Sequence, residues 1–174
     1  KATEKPFLIL VHMHNRLMWA WDHVFWTNEQ WASIGWSDEM SACINSGEIY
    51  VTRRVEEKYL LDCCVLKFKD FLSWIVWAII SLNIKGPLLF IKKDWNKGKL
   101  NSEVYIVYML PVINAYKTYE NKQLIVIEDN SSVHTSKATV TAEYELGIQK
   151  IWWPANSPDL NPIENVWRLL KYRV

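Results

Sequence analysis

The chain has 174 residues, with 20 Lys and Arg against 19 Asp and Glu and a formal net charge of +1. Half of its residues are hydrophobic and 22% are charged, which excludes a disordered chain; five Gly and six Pro exclude collagen-like or low-complexity sequence. At about 150 residues per domain the length suits one domain able to bury a core without a disulfide or metal, and the neutral total excludes a uniformly basic module but not a basic groove beside an acidic site.

The elements follow in chain order. Arg16–Trp31 carries Trp at 19, 21, 26 and 31 and reads as two short helices joined by a turn, the second starting at Thr27-Asn28-Glu29. Residues 1–33 are therefore expected to form a helical N-terminal cap, or the remnant of a linker, on a main domain spanning 34–174. Ile34–Asp38 is a short apolar strand ending in an acid. Ser41–Ile44 and Glu48–Thr52 flank Asn45-Ser46-Gly47 as a hairpin. Val65–Phe68 and Ser73–Ser81 are further strands, the latter apolar on both faces like an interior strand. The apolar run Phe71–Ile84 is fourteen residues long, short of the roughly 20 that a spanning helix needs, so it predicts a buried strand and a turn and no membrane association.

Lys85-Gly86-Pro87 is expected to break the chain before a strand at Leu88–Ile91. Asn101–Tyr119 has helical periodicity, which Pro111 must kink or divide. Leu124–Ile127 is a β-branched run that stops at Glu128-Asp129-Asn130. A helix over His134–Leu146, capped by Gly147, a strand over Ile148–Trp153 and a loop over Pro154–Pro158 come next. Asn161-Pro162-Ile163-Glu164 opens the last helix. Antiparallel strands followed by β-α-β-α predict an α/β fold, a mixed sheet with helices on both faces. Three Cys, of which Cys63 and Cys64 are adjacent, show no ligand spacing and suit a reducing intracellular compartment. No signal peptide is visible; the start at Lys1 suggests a fragment or processed product, with any missing piece upstream.

Three acids stand at the predicted element ends: Asp38 after the first strand, Asp129 after the β-branched run, and Glu164 in the first turn of the last helix. Strand ends near a change of direction are where α/β folds collect ligands. Three carboxylates can converge there only if a positive charge offsets their repulsion, and oxygen ligands without a His or Cys cluster favour Mg²⁺ or Mn²⁺ over Zn²⁺. Each acid also has an architectural reading. Asp38 can be an ordinary strand-end acid, Asp129-Asn130 a turn that caps the next helix, and Glu164 the third residue of a capping-box-like start after Asn161 and Pro162.

The wording of the motifs decides between these readings. Trp152–Lys171, WWPANSPDLNPIENVWRLLK, closely resembles the signature of mariner-like cut-and-paste DNA transposases of the DDE transposase and integrase group. VIEDNSSVHTSK (Val126–Lys137) resembles that family's block around its second aspartate, and WSDEM (Trp36–Met40) the block around its first. FLSWIVWAIISLNIKGPLLFI resembles its central strand pair, so the likeness runs from Arg16 to Arg173. Thirty-four residues separate Asp129 from Glu164, the interval typical of a main branch of the family. Ala78 stands where the family commonly has Gly, Met40 where it commonly has Ser, and Asn130–Val133 and Ala155-Asn156 also depart from the usual wording.

The resemblance implies a ribonuclease H-like fold and makes Asp38, Asp129 and Glu164 the metal-binding catalytic triad, with Mg²⁺ or Mn²⁺ as a pair of ions. It leaves Asp159 without a metal role, as a residue that shapes the loop before the last helix, while Asn130 and His134 orient the site, contact DNA or cap a helix. The implied reaction is hydrolysis of a DNA phosphodiester followed by strand transfer, as in cut-and-paste DNA transposition and integration. Its partners are transposon-end and target DNA, and a homodimer. The location is the nucleus in a eukaryote and otherwise the cytoplasm with the chromosome. Candidates for contact with the DNA backbone are Arg53-Arg54, Lys67, Lys69, Lys92-Lys93, Lys97, Lys99, Arg168, Lys171 and Arg173, each of which also reads as ordinary solvated surface. Family members also carry a pair of N-terminal helix-turn-helix units, for which these residues leave no room, so the chain alone is expected to bind DNA weakly and without sequence preference. Two alternatives stay open: an inactive or domesticated nucleic-acid-binding remnant, and a hydrolase of RNA–DNA hybrids.

Overall fold

In the computed structural model, residues 8–43, 54–57, 60, 73–82, 85–92, 100–119 and 123–173 are described. The hairpin expected around Asn45-Ser46-Gly47 and the strand expected at Val65–Phe68 lie outside them, as do most of the candidate DNA-contacting Lys and Arg. Among the described residues five strands form one mixed sheet: β1 (Ile34–Cys43), β2 (Ser73–Ile80), β3 (Lys85–Lys92), β4 (Ile125–Ile127) and β5 (Gln149–Lys150), in the order β3-β2-β1-β4-β5. β1, β2 and β3 pair antiparallel, while β1, β4 and β5 run parallel. A chain of hairpin-linked strands followed by crossover units yields this arrangement, as the order of predicted elements implied.

Helices cover both faces. On one face α3 (Ser102–Val104), a π turn (Tyr105–Met109), α4 (Leu110–Tyr119) and α6 (Lys137–Glu145) surround a core of Ile75, Trp77, Ile79 and Ile91 from the antiparallel strands with Leu124 and Val126. On the other face α7 (Ile163–Arg173) sets Ile163 and Trp167, one turn apart, against Met40, Val76 and Ala78. Beside it, α1 (Leu10–His23) packs Trp19 with Ile34, Trp36, Ile127 and Trp153. α2 (Asn28–Ala32) begins in a reciprocal capping box between Thr27 and Gln30, at the start read from Thr27-Asn28-Glu29.

Five elements differ from expectation, most of them for a local reason. β1 runs ten residues, so Asp38 lies mid-strand and Ser41 continues the same strand; the polar residues after Asp38 are ordinary alternation on a paired strand. Lys85-Gly86-Pro87 does not break the chain but starts β3, through a register shift opposite Ala78 and Ile80. There a Cβ on Gly86 would stand 2.0 Å from the Ile79 carbonyl oxygen, so glycine permits the approach. Pro87 is tolerated because β3 is an edge strand among the described residues. Pro111 is absorbed without division: the π turn precedes it, with the Leu110 N–H bonded to the Tyr105 carbonyl. The helix expected over His134–Leu146 is two, α5 (Ser132–Thr135) and α6, separated by Ser136, whose extended backbone lets its hydroxyl accept from the Thr139 N–H. Gly147 ends the second at φ 60° as anticipated. The strand expected over Ile148–Trp153 contracts to β5. Among the described residues no helix is long and apolar enough to cross a membrane.

Candidate active site

β1 positions Asp38 by losing a neighbour. Its parallel pairing with β4 ends at Trp36 opposite Ile127, whereas its antiparallel pairing with β2 continues through Asp38, opposite Ala78. A cleft therefore opens between β1 and β4 two residues beyond that last pair, at Asp38 and Asp129. Ser37 closes the floor of that cleft: its hydroxyl donates to the Ile127 carbonyl at 2.9 Å. The Ser37 carbonyl in turn accepts from the Asn161 amide at 3.2 Å, and the Asn161 side-chain oxygen accepts from the Ile163 N–H at 3.2 Å. One asparagine thus caps α7 and ties its first turn to β1, which brings Glu164 beside Asp38. The reciprocal bond of a capping box is not what Glu164 contributes, since the Asn161 N–H is held by the Pro158 carbonyl.

Asp38, Asp129 and Glu164 line one cavity of ≈ 470 Å³, together with Asn130, Ser131 and the segment Trp153–Pro158. Asp38 accepts a hydrogen bond from the Trp167 indole N–H at 2.8 Å. Its pKa is pushed up to about 7 by burial, and further by the charges of Glu39 and Glu164, against the pull of the Glu39 N–H and Trp167. Asp129 is 57% exposed, and its Oδ1 accepts from the Ser131 N–H in a turn at 2.9 Å. The turn reading of Asp129 and its place on the cavity are both realised. Asn130 lines the same cavity, and its amide donates to the Trp153 carbonyl at 2.9 Å, which ties the turn at Asp129 to the opposite wall.

Two further acids, Glu39 and Glu128, are chain neighbours of the first pair and project to the opposite side of the sheet, as strand alternation requires. Glu128 is buried, accepts from the Tyr105 hydroxyl, and lies 3.2 Å from the Lys150 ammonium, which also meets Glu143 at 2.6 Å. The His134 ring lies between, with Nδ1 3.4 Å from Glu128 and Nε2 3.5 Å from Glu39 and 3.6 Å from Asp129, its edge against the Tyr105 ring. Burial pulls the His134 pKa down, but Glu39, Glu128 and Asp129 overcome it and raise it to about 9. Burial raises Glu128 to about 7, with His134 and Lys150 opposing. Motif reading singled out His134 but passed over Glu39, Glu128, Lys150, Glu143 and Tyr105. The available signal was the doubling of acids at each motif, one for each face of a strand.

Among the described residues no group of three or more His, Cys, Asp or Glu side chains is arranged to hold a metal ion by itself. The donor chemistry of the cavity nonetheless fits a hard divalent cation: three carboxylates face it, and Asp38 carries the mark of negative charge without a positive partner. Of the candidate DNA-contacting residues, Arg54, Arg168 and Lys171 are exposed.

The sequence profile of DDE superfamily endonucleases matches residues 74–174. The chain is 28% identical over 180 residues to the Tc1 transposase of Caenorhabditis elegans, covering all of this chain and 63% of that protein. It is 27% identical to the Tc3 transposase of the same organism, over 98% of this chain and 50% of that one. Among solved structures, the Mos1 transposase paired-end complex with left transposon end superposes with a TM-score of 0.73 at 14% identity, covering 99% of this chain and 52% of that one. The crystal structure of the catalytic domain of Mos1 mariner transposase superposes at 0.63 with 14% identity, over 98% and 75%. The mixed sheet is thus the ribonuclease H-like fold that the motifs implied. The chain spans under two thirds of the length of the curated transposases it matches. With the profile covering more than half of its residues, the chain belongs to the DDE superfamily endonuclease family.

Proposed function

We propose that this chain is the catalytic domain of a cut-and-paste DNA transposase, which hydrolyses a phosphodiester at a transposon end and joins the freed 3′-hydroxyl to target DNA. The observation that carries the reading is the convergence of Asp38, Asp129 and Glu164, from three distant parts of the chain, on one cavity. These three carboxylates would hold Mg²⁺ or Mn²⁺, as a pair of ions. When bound, the metal supplies charge neutralisation and Lewis acidity toward phosphate oxygens. Relatives of the fold have been solved with each: Mos1 catalytic domain with Mg and with Mn, each in the presence of raltegravir.

The chain's own residues supply position and proton control. Trp167 fixes the Asp38 carboxylate, and Asn161 fixes the start of α7 against β1. Asp38, with a pKa near neutrality, gives up its proton as positive charge enters the cavity. Asn156 on the far wall offers a neutral polar side chain to a phosphate or sugar. In the first stage a water oxygen bonds to phosphorus and the bond to the 3′ oxygen breaks, leaving a 3′-hydroxyl and a 5′-phosphate. In the second stage the oxygen of that hydroxyl bonds to a phosphorus of the target strand as the bond from that phosphorus to its 3′ oxygen breaks, and the proton lost by the attacking hydroxyl is balanced through solvent by one taken up by the departing 3′ oxygen. Transposon ends, target DNA, a second copy of the chain and a nuclear location in a eukaryotic host belong to the same proposal.

The test is a nicking and joining assay in Mg²⁺ or Mn²⁺, with Asp129→Ala as control. Metal-dependent nicked and joined products that vanish in the variant are expected. Products unchanged in Asp129→Ala would remove the mechanism, and DNA binding without nicking would leave a binding module in its place.

A further inference from the structure

The cavity wall opposite the strand ends, Trp153–Pro158, is irregular backbone, and much of what holds it comes from the other end of the chain. His12, Arg16 and Trp19 fall on one stripe of α1, at i, i+4 and i+7. The Trp19 indole N–H donates to the Trp152 carbonyl at 3.1 Å. Arg16 Nη1 donates to the Asn156 carbonyl at 3.2 Å, and its two terminal nitrogens take both oxygens of Asp159 at 2.7 and 2.6 Å. The Asn156 amide donates to His12 Nδ1 at 2.9 Å. Asn156 itself sits at φ 55°, a left-handed conformation that Asn tolerates and most residues do not.

We infer that α1 is a strap for the active-site loop and that Arg16 is a positioning residue, which sets the cavity wall through Asn156 and, through Asp159, the turn leading into α7 and Glu164. The inference rests on the cavity being the reaction site proposed above. The Arg16 side chain is 18% exposed and that of Asp159 59%; a pair so open to solvent adds little stability. What a forked guanidinium adds is orientation: two parallel bonds to one carboxylate and a third to a main-chain carbonyl fix the loop's angle as well as its distance. The base of the strap is firm, because Trp19 is buried against Trp153 and shares the aromatic cluster of Trp31 and Trp36. The role also accounts for Asp159, the acid that the metal reading leaves unused.

The test compares the full chain with Arg16→Lys, Arg16→Asp and the exchange Arg16→Asp with Asp159→Arg. One readout is amide hydrogen exchange at Leu160, Asn161 and Glu164, whose N–H groups bond within the loop and the start of α7. The other is Mn²⁺-dependent nicking of a duplex at saturating DNA. Arg16→Lys keeps the charge and loses the fork. It is expected to speed exchange at those three amides while β2 stays protected. It should slow saturated nicking by about tenfold, short of the hundredfold that an ångström of misplacement can cost, with the half-saturating DNA concentration unmoved. Arg16→Asp should be worse on both counts, and the exchanged pair should recover. Unchanged exchange in Arg16→Lys, or an exchanged pair no better protected than Arg16→Asp alone, overturns the strap. If the wild-type chain does not nick at all, the proposed function falls while the exchange readout still decides the strap.

Discussion

Two pairs of adjacent acids, Asp38-Glu39 and Glu128-Asp129, divide between the two faces of the sheet and meet opposite fates. On the back, Glu39 and Glu128 are enclosed with Glu143, and the cations His134 and Lys150 stand among them. On the front, Asp38, Asp129 and Glu164 share a cavity to which the described residues bring no Lys or Arg. A buried carboxylate is retained where charge or hydrogen bonds compensate it. The back supplies that compensation from within the fold, and the front leaves it to whatever enters. The His134 ring lies within reach of Asp129 as well as of the back acids and so joins the two faces.

Crossing the two faces gives the largest expected contrast. Glu164→Gln should cost on the order of a thousandfold in metal-dependent nicking while leaving urea stability equal or higher, because it removes front repulsion. Glu128→Ala should instead cost about 1–3 kcal/mol of stability by leaving the buried Tyr105 hydroxyl without its acceptor and taking one carboxylate from Lys150 and His134, measured by urea unfolding. If Glu164→Gln destabilised the fold as much as Glu128→Ala, the distinction between the faces would fail.

The pH response is smaller and separates the same faces. Asp38 and Glu128 have folded pKa values near 7 against ordinary values of 3.8 and 4.5, and His134 one near 9 against 6.5. In each case the folded chain binds more protons, so stability falls as pH rises, through about 4 to 7 for the acids and 6.5 to 9 for the histidine. Thermal unfolding without metal should shift to lower temperature across that span. Saturating Mg²⁺ should flatten the Asp38 share and leave the His134 share. The smallest effect belongs to Trp167→Phe, which keeps most of the packing and removes one donor. Asp38 should then titrate higher by about a unit, roughly 1.4 kcal/mol, as followed by carboxyl NMR; an unmoved titration would deny Trp167 its hold on the front.

Much of this was legible in the residues because it is periodic or local. The apolar run of β2, the β-branched run ending at Asp129 and the glycine stop after α6 each carry their own signal. The length of β1 was not, because Asp38 and Glu39 look like the polar end of one strand and Ser41 like the start of another until β2 is seen pairing across them all. Gly86 and Pro87 look like a break until the Ile79 carbonyl is found against them. The acids of the front were legible as motifs, whereas Glu39 and Glu128 were overlooked in those same motifs because only the sheet shows which way each side chain turns. Arg16 could not have been matched to Asp159, 143 residues away, since nothing local joins them. Ala78 and Met40, two departures from the family's wording, prove to be packed around Asp38: one is its cross-strand partner and the other lies in the same α7 contact layer.

The π turn at Tyr105–Met109 has a consequence for insertions and deletions. A turn widened by one residue advances everything after it by about 100° around the helix axis relative to an unbroken α-helix. Tyr105 meets Glu128 while Leu110 and Ile113 stay in the core, so the helix is phased for two tasks by a single surplus residue. Deleting one residue between 106 and 108 would tighten the coil into a regular one and rotate the tyrosine away from its carboxylate, with the downstream apolar stripe still seated.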